Sequence, residues 1–146
     1  MKRIVLISCV SRKGTIKSKA RDLYKGPLFN NSLCVAKKLQ VDEKSIFILS
    51  AKHYLVGLDD IISPYDMTLK KMSNSEKINW GKMVIYELKK VSNIDTDEYI
   101  ILAGRDYRNP ISEIKNLKDF LGSRNYGKRT SFLKSLCVDK NSDISM

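Results

Sequence analysis

Three stretches of the chain set hydroxyl, thiol, cationic and acidic side chains directly behind short apolar runs. The first, Ser8-Cys9-Val10-Ser11-Arg12-Lys13, offers hydroxyls, a thiol and two cations, and its backbone N–H groups could join them in holding a phosphate or carboxylate. It is not a Walker loop, because the glycine spacing and the Gly-Lys-Ser/Thr ending are absent. A solvated basic loop is the plainer reading. The second stretch, Ser50-Ala51-Lys52-His53-Tyr54, opens a loop that Ser63-Pro64-Tyr65-Asp66 closes. Here Tyr65 could stack on a nucleobase, Asp66 could accept from an exocyclic amine or activate water, and Lys52 could neutralise a phosphate. Pro-Tyr-Asp is equally good turn chemistry. The third stretch, Ala103-Gly104-Arg105-Asp106-Tyr107, pairs a glycine that permits close approach with an Arg and an Asp facing the approaching group; an internal Arg–Asp pair is its ordinary alternative.

Nucleophilic chemistry is conceivable but has no supporting spacing. Cys9 would become reactive beside the His53 imidazolium, yet a Cys closing a buried strand is more often a small packing residue. A Ser8 or Ser50 triad with His53 and Asp66 can be written down, although the nucleophile-elbow pattern is missing. Cys9, Cys34 and Cys137 are scattered, which suggests neither a disulfide framework nor a zinc site and fits a reducing cytoplasm. With His53 the single histidine, any metal site needing two imidazoles is excluded. No metal and no cofactor is expected.

These residues need a scaffold, and the hydrophobic pattern supplies one. Strands are expected at Arg3 to Ser8, Ser45 to Leu49 and Tyr99 to Ala103, each a continuous apolar run of the kind that parallel strands show when covered on both faces. Between them lie a polar stretch from Ser11 to Lys25, a helix opening at Pro27, an irregular stretch from Ser50 to Leu69 with a weak edge strand at Asp60 to Ser63, and a helix from Ser73 to about Val91. That helix starts at Ser73-Asn74-Ser75-Glu76, a capping box. Further helices are expected from about Pro110 to Phe120 and from Lys128 to Cys137, the second placing Lys128 and Arg129 in its first turn against the helix dipole. Alternating strands and helices predict a single three-layer α/β domain over residues 1–138, with a mostly parallel central sheet flanked by helices, and a disordered tail from Asp139 to Met146. All three reactive loops then open on the carboxyl edge of one sheet, where such folds bind ligands.

The net charge of +11 is uneven. Residues 1–40 carry ten Lys or Arg and one acid, residues 41–100 carry eight and ten, and residues 101–146 carry nine and five. Cations gathered around the first loop and the last third favour an anionic partner, most simply nucleic acid; a lysine-rich surface without a partner is the alternative. No apolar run approaches the roughly 20 residues that span a bilayer, so no membrane partner is expected.

The ordered set of Ser8, Cys9, Arg12 and Lys13, then Arg21-Asp22-Leu23-Tyr24 before Pro27-Leu28-Phe29, Leu49 to Leu55, Pro64-Tyr65-Asp66, Ala103-Gly104 with Tyr107, and Gly127-Lys128-Arg129 resembles a family of small bacterial and phage domains of unknown function related to the YaaA peroxide-stress proteins. The first loop is also similar to the core of archaeosine synthases and, more distantly, to uracil-DNA-glycosylase-like folds. The resemblance implies handling of nucleobases or nucleic acid, with a pocket at the strand ends. The chain departs from these relatives in being shorter, in lacking a helix-hairpin-helix segment, and in carrying His53 and Val56 where they tend to read Tyr-Gly-Leu.

Residues and resemblance together lead to the expectation of a cytoplasmic protein that binds nucleic acid, a nucleotide or a nucleobase. The anion-binding set is Ser8, Cys9, Arg12, Lys13, Ser50, Lys52, His53, Gly104, Arg105, Lys128 and Arg129, with Tyr65 or Tyr107 for stacking. In an enzymatic version Asp66 or Asp106 acts at a glycosidic bond. A non-catalytic basic DNA- or RNA-binding module and a phage or mobile-element protein that sequesters a small nucleotide signal are the alternatives.

Overall fold

The computed structural model describes residues 1–40, 42–122 and 124–138; the expected tail from Asp139 lies outside them. In chain order the elements are β1 (Arg3–Ser8), β2 (Ser18–Lys19), α1 (Ala20–Leu23), α2 (Pro27–Leu39), β3 (Ile46–Ser50), β4 (Tyr54–Gly57) and β5 (Ile61–Ile62). There follow α3 (Asn74–Val91), β6 (Glu98–Leu102), α4 (Arg105–Arg108), β7 (Leu117–Asp119) and α5 (Tyr126–Val138). A five-stranded sheet runs in the order β4-β3-β1-β6-β7, with β4 antiparallel to β3 and every other pair parallel.

The layers follow from the strand pattern. On β1, Val5 and Ile7 face one core with Val35, Ala36 and Leu39 of α2 and Leu133 of α5, while Ile4 and Leu6 face the other with Trp80, Val84 and Leu88 of α3. Ile46 and Ile48 against Leu49, and Ile100 and Leu102 against Tyr99 and Ile101, divide in the same way. Strands apolar at every position are stable only when covered on both faces, so a mixed α/β domain with helices on both sides is what this sequence must build. Its helix starts are equally local. Pro27 occupies the first turn of α2 behind Gly26 at φ 103°, a left-handed conformation that favours glycine, and Ser73 and Glu76 form the expected capping box of α3.

Several expectations are corrected. No helix runs from Pro110 to Phe120. The helix comes earlier, as the single turn α4, Asn109–Ile111 is a 3-10 turn, and Leu117–Asp119 becomes strand β7. The spacing of Ile111, Ile114, Leu117 and Leu121 suits a helix, but pairing Tyr99 with Leu117 and Ile101 with Asp119 covers the open edge of β6, and tertiary pairing overrides local periodicity. The stretch after Ser50 is not irregular throughout, because it turns through Ala51, Lys52 and His53 and returns as β4 against β3. Tyr54 closes that turn at φ 66°, uncommon for an aromatic residue and held by its pairing opposite Ser50 at the start of the ladder. The short strand near Ile61 pairs with β2 rather than extending the main sheet. Finally, Cys34 of α2 and Cys137 of α5 form a disulfide. At a sequence separation of 103 no spacing rule could join them, and packing of the two helices does. Only Cys9 is a free thiol among the described residues, so cysteine usage no longer argues for a reducing compartment.

Two stability predictions follow from this packing. A Cβ on Gly81 of α3 would overlap the Pro110 carbonyl, so Gly81→Ala should destabilise the protein by about 1–3 kcal/mol through overpacking, against the gain of up to about 1 kcal/mol that helix propensity alone assigns. Urea unfolding decides between the signs. Reduction of the disulfide, or Cys34→Ser, should lower stability by about 2–4 kcal/mol because so long a loop is released. Superimposable oxidised and reduced unfolding curves would refute that assignment.

Candidate functional site

The first loop is folded back on itself by backbone pairing. The Cys9 N–H donates to the Leu49 carbonyl at 3.0 Å, the Gly14 N–H to Leu23 at 2.8 Å and the Lys25 N–H to Arg12 at 2.9 Å, with Lys13 bridged to Tyr24. Arg12, Lys13 and Lys25 are thereby brought side by side ahead of α2. From the third strand end, Gly104 begins α4, whose Tyr107 turns back so that the Cys9 thiol donates to its hydroxyl at 3.3 Å. The Tyr107 ring stands edge-on to Trp80 at 5.5 Å between centroids. Burial pushes the Tyr107 hydroxyl above the ordinary tyrosine value, which keeps it protonated and available as a donor.

Beneath the loops runs a chain of hydroxyls. Tyr24 and Tyr65 share a hydrogen bond of 2.7 Å, Tyr65 and Ser50 one of 2.8 Å, and the His53 N–H donates to Ser50 Oγ at 3.0 Å. Trp80 Nε1 donates to the Ser50 carbonyl at 2.9 Å. Lys13 Nζ lies 4.4 Å from the Tyr65 ring centroid, and His53 stands edge-on to the same ring at 5.5 Å. Burial raises the pKa of both Tyr24 and Tyr65. Burial also lowers that of Lys13, with Cys9 and Asp66 opposing. Ser50 is fully buried and engaged on both sides, which leaves it no freedom to attack a substrate. The thiol of Cys9 meets Tyr107, not His53.

A cleft of about 780 Å³ lies at the strand ends. Among the expected residues it brings together Ser8, Cys9, Arg12, Lys13, Asp66, Gly104, Arg105, Asp106, Tyr107 and Arg129, while Ser50, Lys52, His53, Tyr65 and Lys128 do not line it. Tyr65 instead supports the loops through its hydroxyl and under Lys13. Lys25, Lys70, Lys71, Arg108 and Arg124 also line the cleft. Their only sequence signal was the excess of cations, since nothing local marks which lysine faces a strand end. Among the described residues the lining thus carries nine cations against two carboxylates. Asp106 is ion-paired with Lys77 at 3.6 Å and Arg108 with Asp119 at 3.1 Å, whereas Asp66 has no ion pair within 4.0 Å among the described residues. A Cβ on Gly104 would overlap Arg129 Nη1, so this glycine makes room for a guanidinium brought in by α5. Arg129 Nε is buried without an acceptor among the described residues. No group of three His, Cys, Asp or Glu side chains that could hold a metal occurs among the described residues. No described helix is long and apolar enough to cross a membrane.

Residues 4–135 match a protein-family model described as a family of unknown function, DUF6884. No curated protein matches the chain.

His53 offers a direct check of the loop beside the cleft. Burial, with Lys52 second, lowers its pKa below 6.5. As the only histidine, it should give a single pair of imidazole C–H resonances in NMR, with a midpoint below 6.5 that rises in Lys52→Ala. The unfolded chain takes up this proton first, so the group withdraws stability as the pH falls through the unfolded midpoint. A midpoint at or above the unfolded value would contradict the burial.

Proposed function

Because the chain belongs to the DUF6884 family of unknown function, its role has to be argued from the site, and we propose that the cleft binds a nucleotide-like anion, free or within a nucleic acid. The observation that carries this reading is the cationic lining at the carboxyl ends of parallel strands, nine Lys and Arg against two Asp. Like charges gathered in one concavity repel one another, and an arriving phosphate relieves that repulsion. Arg129 adds to the gain, since a guanidinium lacking an acceptor at its buried Nε has already lost part of its hydration. The size and floor of the cleft argue for more than bare phosphate. About 780 Å³ floored by Cys9, Leu28, Leu102, Ala103 and Leu121, with Tyr107 at its side, suits a flat base and sugar besides the anion. The resemblance to YaaA-related proteins supports the same class of ligand.

In the catalytic version of this reading Asp66 faces a glycosidic bond. It is favoured over Asp106, which Lys77 already neutralises. The non-catalytic version uses the same cleft and leaves Asp66 a bystander.

Titration with 5′-mononucleotides at low and moderate salt tests the reading. Arg12→Ala and Arg105→Ala should each weaken binding by about tenfold, and affinity should fall as salt rises. Binding indifferent to salt and to both substitutions would sink the proposal. Asp66→Asn separates the versions: loss of base release with binding retained marks an enzyme, and unchanged behaviour marks a binding module.

A further inference from the structure

Arg12, Lys13 and Lys25 line the cleft and also line a second depression, of about 640 Å³. The three cations are therefore the wall between two cavities. That wall is built rather than draped. The Lys25 N–H bonds the Arg12 carbonyl and Lys13 bridges Tyr24, while the Arg12 side chain runs along Gly26, with Cδ 3.6 Å from where a Cβ would stand. Gly26 and Pro27 border both cavities; beyond them the outer depression is completed by Asn30, Asn31 and Lys134, and no carboxylate lines it among the described residues.

A ligand filling both cavities must carry negative charge over the wall, where the two linings share their cations, and a hydrogen-bonding body on either side of it. A mononucleotide, with its phosphate at one end, fills the cleft and stops at the wall. A phosphodiester joining two nucleosides has the required order of charge and bulk, and the carboxamides of Asn30 and Asn31 offer both donors and acceptors to a second base or sugar. Resting on the nucleotide reading of the cleft, we infer that the ligand is a phosphodiester-linked chain of nucleotides, with one nucleotide in the cleft, the linking phosphate on Arg12, Lys13 and Lys25, and the next nucleotide in the outer depression. The chain is single-stranded there, because a base still stacked and paired in a duplex cannot enter a concave site. A nucleic-acid strand and a free dinucleotide share this chemistry.

Competition against a labelled short single strand provides the test, using 5′-mononucleotides, dinucleotide monophosphates, the unlabelled strand and a blunt hairpin duplex. The second nucleotide should tighten binding by about tenfold or more. The double variant Asn31→Ala/Lys134→Ala should abolish that advantage and leave mononucleotide affinity unchanged. A strand that binds more tightly than the dinucleotide, with the duplex weaker, supports the inference with nucleic acid as the source, and a dinucleotide as tight as the strand supports it with a free dinucleotide as the source. If dinucleotides bind no better than mononucleotides, or if the double variant keeps their advantage, the inference is overturned and the mononucleotide cleft stands. Binding of none of these probes overturns the cleft reading as well.

Discussion

Parallel pairing of β3 and β6 on either side of β1 is the constraint from which the rest of this molecule follows. A parallel strand cannot return by a tight turn, so each crossover must leave the sheet, cover one face and come back. Those crossovers bury both faces, and the strands are accordingly apolar at consecutive positions, Ile4 to Ile7 and Tyr99 to Leu102 being almost wholly inaccessible. The same geometry sends every parallel strand out at one edge. Polar and charged groups excluded from the interior are thus collected there, and the site is assembled from segments as distant in sequence as Arg12, Arg105 and Arg129.

Collecting charge at an edge does not by itself position it. That task falls to the buried hydroxyl chain of Tyr24, Tyr65 and Ser50. A buried hydroxyl left without a partner costs about 1–3 kcal/mol, so the three groups hold one another in place and, with them, the first loop, the segment around Pro64 and the end of β3. Lys13 rests on the Tyr65 ring, which favours a cation by its quadrupole. The position of the Lys13 ammonium therefore depends on two tyrosines that never reach the cleft. α5 contributes Arg129 beside Gly104 and is tied to α2 by the Cys34–Cys137 disulfide, so this part of the lining is carried on a covalently anchored helix.

Legibility in the sequence tracked how local the cause was. The apolar runs at Ile4, Ile46 and Ile100 and the Ser73 capping box are local, and strands and helix stand where they read. Gly104 was legible as a place of close approach, but the approaching group is Arg129, which only the packing of α5 reveals. Tyr65 read as a stacking surface because sequence cannot tell which tyrosine hydroxyl finds a buried partner. The stretch from Ile111 to Leu121 misled for the opposite reason, since its apolar spacing fits a helix and the unfilled edge of β6 took it as a strand. The disulfide was invisible, because two cysteines on separate helices become neighbours only when those helices pack.

The electrostatics of the cleft also order the events in the catalytic version of the proposed function. Breaking a glycosidic bond builds positive charge on the sugar, and the excess of cations lining the cleft opposes it. Asp66 alone does not offset such a field. The linking phosphate of the proposed ligand would reduce it, because a strand laid across Arg12, Lys13 and Lys25 brings its own negative charge to them before chemistry begins. Substrate binding then does more than position the bond. It offsets part of the field that disfavours the transition state, so that remote phosphate contacts lower the barrier itself. A nucleoside without phosphates would meet the field intact, which makes the charge of the ligand as much a requirement for reaction as for affinity.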